Sequence, residues 1–114
     1  MGPTDVDQLQ RINEDLAAAL GRGDVVAQIA LDFAFHRAIS ERGGNRRLSQ
    51  ILDDLRSQLH RLEQWYYSYP THSRRSILEH DQIIQALREG DQARATEILR
   101  DNMSLTKVAL FEGR

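Results

Sequence analysis

Apolar residues recur every three or four positions along almost the whole chain, and this spacing constrains the fold more than any other feature. Such a period places apolar side chains on one face of an α-helix, whereas a half-buried β-strand requires strict alternation. The first segment shows the pattern in a stripe made of Val6, Leu9, Ile12, Leu16 and Leu20. No segment shows the alternation of a strand, so the sequence predicts an all-α fold.

Glycine and proline divide this pattern into helices. Glycine ends helices, and an Asp or Asn that closely follows it can cap the next one. The breaks fall at Gly23-Asp24, Gly44-Asn45, Tyr69-Pro70 and Gly90-Asp91. The predicted helices cover residues 5–20, 24–41, 46–67, 73–89 and 91–111. Because short connections favour antiparallel neighbours, we predict an antiparallel helical bundle of about five helices.

Length and composition narrow the class of protein. The 114 residues suit one domain, placed at residues 5–112, with residues 1–4 as an expression remnant or a disordered start. The absence of cysteine excludes disulfides and thiolate ligands and suits a reducing cytoplasm. No apolar run approaches the ~20 residues that span a bilayer. The net charge of −2 argues against direct DNA binding. We therefore expect a cytoplasmic domain that contacts neither membrane nor DNA through these residues.

Two histidines occupy positions where the helical pattern calls for core residues. His36 continues the apolar face of Phe33, and His80 lies between Ile77 and Ile84. A buried imidazole needs partners for its ring nitrogens, because an unpaired polar group in a core costs about 1–3 kcal/mol. One such histidine is usually a satisfied core residue, but two on different helices favour a shared site.

Two further polar residues fall on the same inward faces. Asp32 lies one helical turn before His36, so the two side chains can ligate one metal ion, although a local Asp–His hydrogen bond explains this spacing more often. Asn102 follows His80 by 22 residues across the turn at Gly90, which brings the two level in an antiparallel hairpin. A buried amide that bonds to a neighbouring backbone group explains Asn102 equally well, so both interpretations stay open.

Three segments together carry a family resemblance. They read DFAFH at 32–36, GNRRL at 44–48 and EHDQIIQALREGD at 79–91, and Ala95, Leu99 and Asn102 continue the pattern. The joint spacing covers nearly the whole chain. It resembles the C-terminal effector-binding domain, or FCD domain, of FadR-type transcription regulators in the GntR family.

The resemblance implies an antiparallel bundle that senses a small organic acid, often at a divalent metal. The family's ligands are an Asp, the His four residues later, the His of the Glu-His segment, and a His in the last helix. Asp32, His36 and His80 match the first three, but Asn102 stands where the last histidine is expected. An amide oxygen is a poorer ligand than imidazole for zinc-like ions. A zinc-, nickel- or manganese-type ion is therefore expected to bind weakly or not at all.

The resemblance also concerns partners. It implies a homodimer with a small carboxylate effector, and Arg37 and Tyr66 are candidates to contact that effector. It implies DNA binding only through an N-terminal winged helix–turn–helix, which these residues do not contain. The family's preceding first helix is not seen either, so we expect a truncated domain.

Two other functions could use the same residues. One is a metal-dependent helical-bundle enzyme built on the same ligands, which needs a general base beside the metal-bound water. Glu79 adjoins His80 but points about 100° away around the helix, so we expect no enzyme. The other is a purely structural dimerisation bundle in which the histidines are core residues.

Overall fold

The computed structural model describes residues 2–42, 50 and 67–112, with side chains described for residues 2–41, 50 and 67–102. The helices in these residues are α1 (Pro3–Arg22), α2 (Val25–Arg42), α3 (Pro70–Arg88) and α4 (Gln92–Glu112). No strand occurs in this part of the chain, and the all-α prediction is confirmed. The helix predicted over 46–67 lies almost entirely outside the described residues.

Two helices begin earlier than the apolar pattern indicated. α1 starts at Pro3 instead of residue 5, so it includes two of the residues that the sequence analysis set apart from the domain. α3 starts at Pro70 instead of Ser73. Proline suits the first helical position, since its fixed φ is already helical and its missing N–H has no partner there anyway. Apolar periodicity misses such a first turn because the turn contributes no residue to the apolar stripe.

The predicted turns are confirmed at both described helix junctions. Gly23 and Gly90 adopt φ of 69° and 75°, a left-handed backbone conformation that glycine adopts without strain. The Asp24 carboxylate then accepts a hydrogen bond from the Ala27 amide at 3.1 Å, which caps α2. Asp91 accepts one from the Arg94 amide at 3.0 Å and caps α4 in the same way.

The helices pack as an antiparallel bundle around one main core. α1 contacts α2 and α3, and α3 contacts α4. α1 and α3 run antiparallel, because Arg88 near the end of α3 pairs with Asp7 near the start of α1 at 3.0 Å. The buried core residues are Val6, Leu9, Phe35, Ile83, Ile84, Ala86, Ala95 and Leu99. Among the described helices, none combines the length and the hydropathy needed to cross a membrane.

The buried face of α2 agrees with the predicted one at Ile29 and His36 but differs at Phe33. Phe33 is only half-buried, whereas Phe35 is completely buried. The inward face is centred on Asp32, and Phe35 and His36 lie within about 60° of it around the helix, while Phe33 lies about 100° away. An apolar pattern misreads this face by one position because its centre is a carboxylate.

A buried hydrogen bond joins α2 to α3 away from the histidines. Ser73 Oγ donates to Gln28 Oε1 at 2.6 Å, and both residues are at most 1% exposed. Replacing Ser73 with alanine removes the partner of that buried amide oxygen. We expect the free energy of unfolding to fall by about 1–3 kcal/mol, measured by urea denaturation.

Ser40→Ala is the matched control for this prediction. Ser40 is equally buried, but its hydroxyl donates to Arg37 O in its own helix at 3.0 Å, so its loss leaves no interhelical partner behind. An equal loss of stability in the two variants contradicts the explanation given for Ser73.

Candidate metal centre

Asp32, His36 and His80 meet between α2 and α3. One potential ligand atom from each lies within 4.8 Å of the other two. The Asp32 Oδ1 atom is 3.1 Å from His80 Nε2 and 3.4 Å from His36 Nε2. Ligand atoms around a tetrahedral zinc with bonds of about 2.0–2.2 Å lie about 3.3–3.6 Å apart. The two contacts of Asp32 Oδ1 are therefore close to the spacing of ligands around a single ion.

The local structure explains this convergence. Asp32 and His36 are one turn apart on α2, and α3 supplies His80 from the facing helix. The Phe35 ring stacks on the His80 ring, with centroids 3.9 Å apart and planes within 10°. The ring of His36 meets that of His80 edge-on at 5.3 Å. Packing thus fixes the orientation of the His80 imidazole before any ligand binds.

Burial strengthens the electrostatic interactions among Asp32, His36 and His80. His80 is 0% exposed and His36 5%, while the Asp32 side chain is 15% exposed. Burial by itself raises the pKa of Asp32, but the charges and close contacts of His36 and His80 outweigh it and hold that pKa well below its ordinary value. Burial lowers the pKa of His80, and Asp32 opposes this shift. The two shifts belong to one coupled group, in which Asp32 is ionised and burial disfavours a charge on His80.

Two atoms of the group lack a hydrogen-bond partner. Asp32 Oδ1 and His80 Nε2 lie 3.1 Å apart as a possible ion pair, but within the described part of the chain both atoms are buried without a hydrogen bond of good geometry. Buried polar atoms are normally satisfied, and exceptions call for an explanation such as an ion. Two imidazole nitrogens and one carboxylate oxygen are a donor set that suits zinc-like ions, so the residues fit a metal.

Asn102, the fourth predicted position, is 2% exposed on α4. Its side chain hydrogen-bonds to that of Glu79, the residue before His80 on α3. Burial raises the pKa of Glu79, Asn102 and Arg75 oppose this shift, and the charge of Asp32 is near enough to add to it. Asn102 is thus buried beside the helix turn that carries His80, and its role as a metal ligand stays a prediction.

The two candidate effector contacts fall elsewhere. Arg37 lies at the surface with half of its side chain exposed, and its Nε pairs with Glu41 one turn away at 2.8 Å. The structure does not bring it into the group formed by Asp32 and the histidines. Tyr66 lies outside the described residues. The neighbouring Tyr67 is 2% exposed and packs against Ile29, as a core residue does.

Sequence reasoning missed Asn13 on α1. Its Oδ1 lies 3.1 Å from His80 Nδ1, and its Nδ2 donates to Asp81 Oδ1 at 2.8 Å and to Ile77 O at 3.1 Å. A signal was present, because Asn13 follows Leu9 by four residues and is buried on the same stripe. A polar side chain on an apolar stripe indicates a buried polar contact, as it does for the histidines.

Comparison with known families now gives the class of the protein. Residues 1–104 match the sequence profile of the FCD domain, and the chain belongs to this family. FCD domains are the C-terminal effector-binding domains of GntR-type transcription regulators, so this is a regulatory domain of that kind. Comparison with curated proteins and with solved structures gave no match.

Proposed function

We propose that this domain senses a small carboxylate at a divalent metal ion held by Asp32, His36 and His80. The observation that carries the proposal is the pair of buried, unsatisfied ligand atoms, Asp32 Oδ1 and His80 Nε2, at ligand-to-ligand spacing. In a purely structural role, these two atoms have only a mutual contact that does not meet hydrogen-bond geometry. A metal ion satisfies both of them together with His36.

The charge of the centre favours an anionic effector. A divalent ion with one carboxylate and two neutral imidazoles keeps a net charge of +1 in a buried site. Three protein ligands also leave coordination positions open to water or an exogenous ligand. A small carboxylate supplies both the negative charge and the oxygen donors, and the metal is the strongest local charge that can attract it.

The positions of the candidate metal ligands on two helices suggest how effector binding regulates DNA binding. Asp32 and His36 are on α2, and His80 is on α3, so a ligand bound at the ion acts on both helices at once. In the homodimer that we infer for the full regulator, a shift between these helices changes the spacing of the two DNA-binding domains. An effector drives this shift only as far as it binds one arrangement better than the other.

A thermal shift assay on the metal-stripped domain tests the proposal. Zn²⁺, Ni²⁺ or Mn²⁺ at about one hundred times its Kd should stabilise the fold by about 2.7 kcal/mol and raise Tm on the order of 10 °C. Acetate, succinate and citrate then serve as carboxylate probes. We expect at least one of them to raise Tm further, and only when the metal is present.

The controls separate metal sensing from general effects. Ca²⁺ prefers sites made of oxygen ligands, so it should leave Tm unchanged at the same concentration. A carboxylate that stabilises the metal-free domain to the same extent contradicts sensing at the ion. No shift with any of the three transition metals contradicts the metal centre itself.

A further inference from the structure

We propose that Asn13 on α1 fixes the tautomer of His80, so that Nε2 faces Asp32 as an unprotonated metal ligand before the ion arrives. This inference rests on the proposed metal centre. It assigns a positioning role to a residue on a helix that supplies no ligand.

Two neighbouring acceptors determine the orientation of the Asn13 amide. Its Nδ2 lies 2.8 Å from Asp81 Oδ1 and 3.1 Å from Ile77 O, and both of these atoms are acceptors. Only the NH₂ end of an amide can face two acceptors. The chemistry of its neighbours therefore fixes which end of the Asn13 amide is oxygen, and that oxygen faces His80.

The Asn13 oxygen in turn determines which ring nitrogen of His80 carries the proton. Asn13 Oδ1 lies 3.1 Å from His80 Nδ1, and a carbonyl oxygen can only accept, so Nδ1 must carry the proton. In the neutral ring Nε2 is then an acceptor. It lies 3.1 Å from Asp32 Oδ1, which is also an acceptor. Two acceptors this close in a buried site repel each other unless a cation lies between them.

Burial protects the hydrogen bond between Asn13 and His80 from water. Asn13 is 3% exposed and His80 is 0% exposed, so solvent does not compete for their hydrogen bond. Metal-ligating histidines commonly donate their second ring N–H to a carbonyl or carboxylate, and loss of that acceptor typically weakens metal binding about 10- to 100-fold.

The test measures the tautomer and the metal affinity separately. Nitrogen-15 NMR of histidine-labelled, metal-free domain reports which ring nitrogen carries the proton. The His80 signals are assigned by their loss in His80→Gln. We expect a protonated Nδ1 and a bare Nε2 in the wild type. In Asn13→Ala, we expect a substantial shift of the proton to Nε2 and a fall in Zn²⁺ affinity of roughly 10- to 100-fold by competition titration.

A second variant guards against loss of folding. Asn13→Leu places an apolar side chain of similar size on an apolar stripe, so the fold should hold while the acceptor is lost. Ser73→Ala is the matched control, because it also removes a buried interhelical hydrogen bond to an amide but leaves His80 untouched. It should change neither the tautomer nor the Zn²⁺ affinity.

The outcomes distinguish this inference from the proposed function. A protonated Nε2 in the wild type, or an unchanged tautomer in Asn13→Leu, overturns the role of Asn13 even when metal binds. An unchanged Zn²⁺ affinity in Asn13→Leu also overturns it. A wild type that binds no Zn²⁺ overturns the metal centre instead, and a change of tautomer in Asn13→Leu then still supports the positioning of His80 by Asn13.

Discussion

The His36→Ala/His80→Ala double variant should lose stoichiometric metal completely. The substitutions remove two of the three converging ligand atoms and leave one carboxylate, that of Asp32. A lone carboxylate is a weak site for a zinc-like ion. Because even outer partners of a ligand contribute about 10- to 100-fold, two direct ligands should together contribute at least about a thousandfold in affinity. Elemental analysis after incubation with Zn²⁺ and gel filtration measures the result.

Two further variants make this result interpretable. His72→Ala removes a half-buried histidine on the same helix, two turns before His80, and should keep the metal. His36→Gln/His80→Gln preserves most of the side-chain volume, which matters because Phe35 stacks directly on His80. One equivalent of metal in a folded double variant rules out the assigned ligands.

The second large effect is expected from Asn102→His. This substitution supplies the imidazole that the family pattern places in the last helix, and imidazole is the better ligand for zinc-like ions. Glu79 already hydrogen-bonds to the side chain at position 102, so its carboxylate is placed to accept the second ring N–H of the new histidine. We expect Zn²⁺ to bind at least about tenfold more tightly, as measured by competition titration.

Asn102→Ala completes this comparison. If the amide is itself a ligand, its removal weakens Zn²⁺ binding. If it only pairs with Glu79, the affinity stays close to that of the wild type while Asn102→His still strengthens it. An affinity for Zn²⁺ that does not rise in Asn102→His shows that position 102 does not reach the ion.

Part of the candidate site could be predicted from local spacing. Asp32 and His36 are one turn apart, so helix geometry alone puts them on one face. The turns at Gly23 and Gly90 could also be predicted from neighbouring residues alone. In each, a glycine that ends one helix is followed directly by an aspartate that caps the next. The apolar pattern also marked His80 and Asn102 as polar residues on inward faces, and the family resemblance connected them to Asp32.

Other features depended on how helices are rotated against each other. The pairing of Asn13 with His80, and of Glu79 with Asn102, joins residues on different helices. A change of one residue in helical phase turns a side chain by about 100° and gives it different neighbours. The apolar pattern of α2 favoured Phe33 for the same reason, since it could not show that a carboxylate lies at the centre of the buried face.

The sequence by itself therefore determined the all-α class, the helix junctions and the candidate ligands Asp32, His36 and His80. These follow from the periodicity of a single helix, from turn chemistry or from the family pattern. Only the tertiary structure decided that the three candidate ligand atoms meet, and that Asn13 on α1 lies within hydrogen-bond distance of His80. The reason is that atoms on separate helices come within hydrogen-bond or ligand distance only after packing fixes the helix rotations, and core packing sets these rotations.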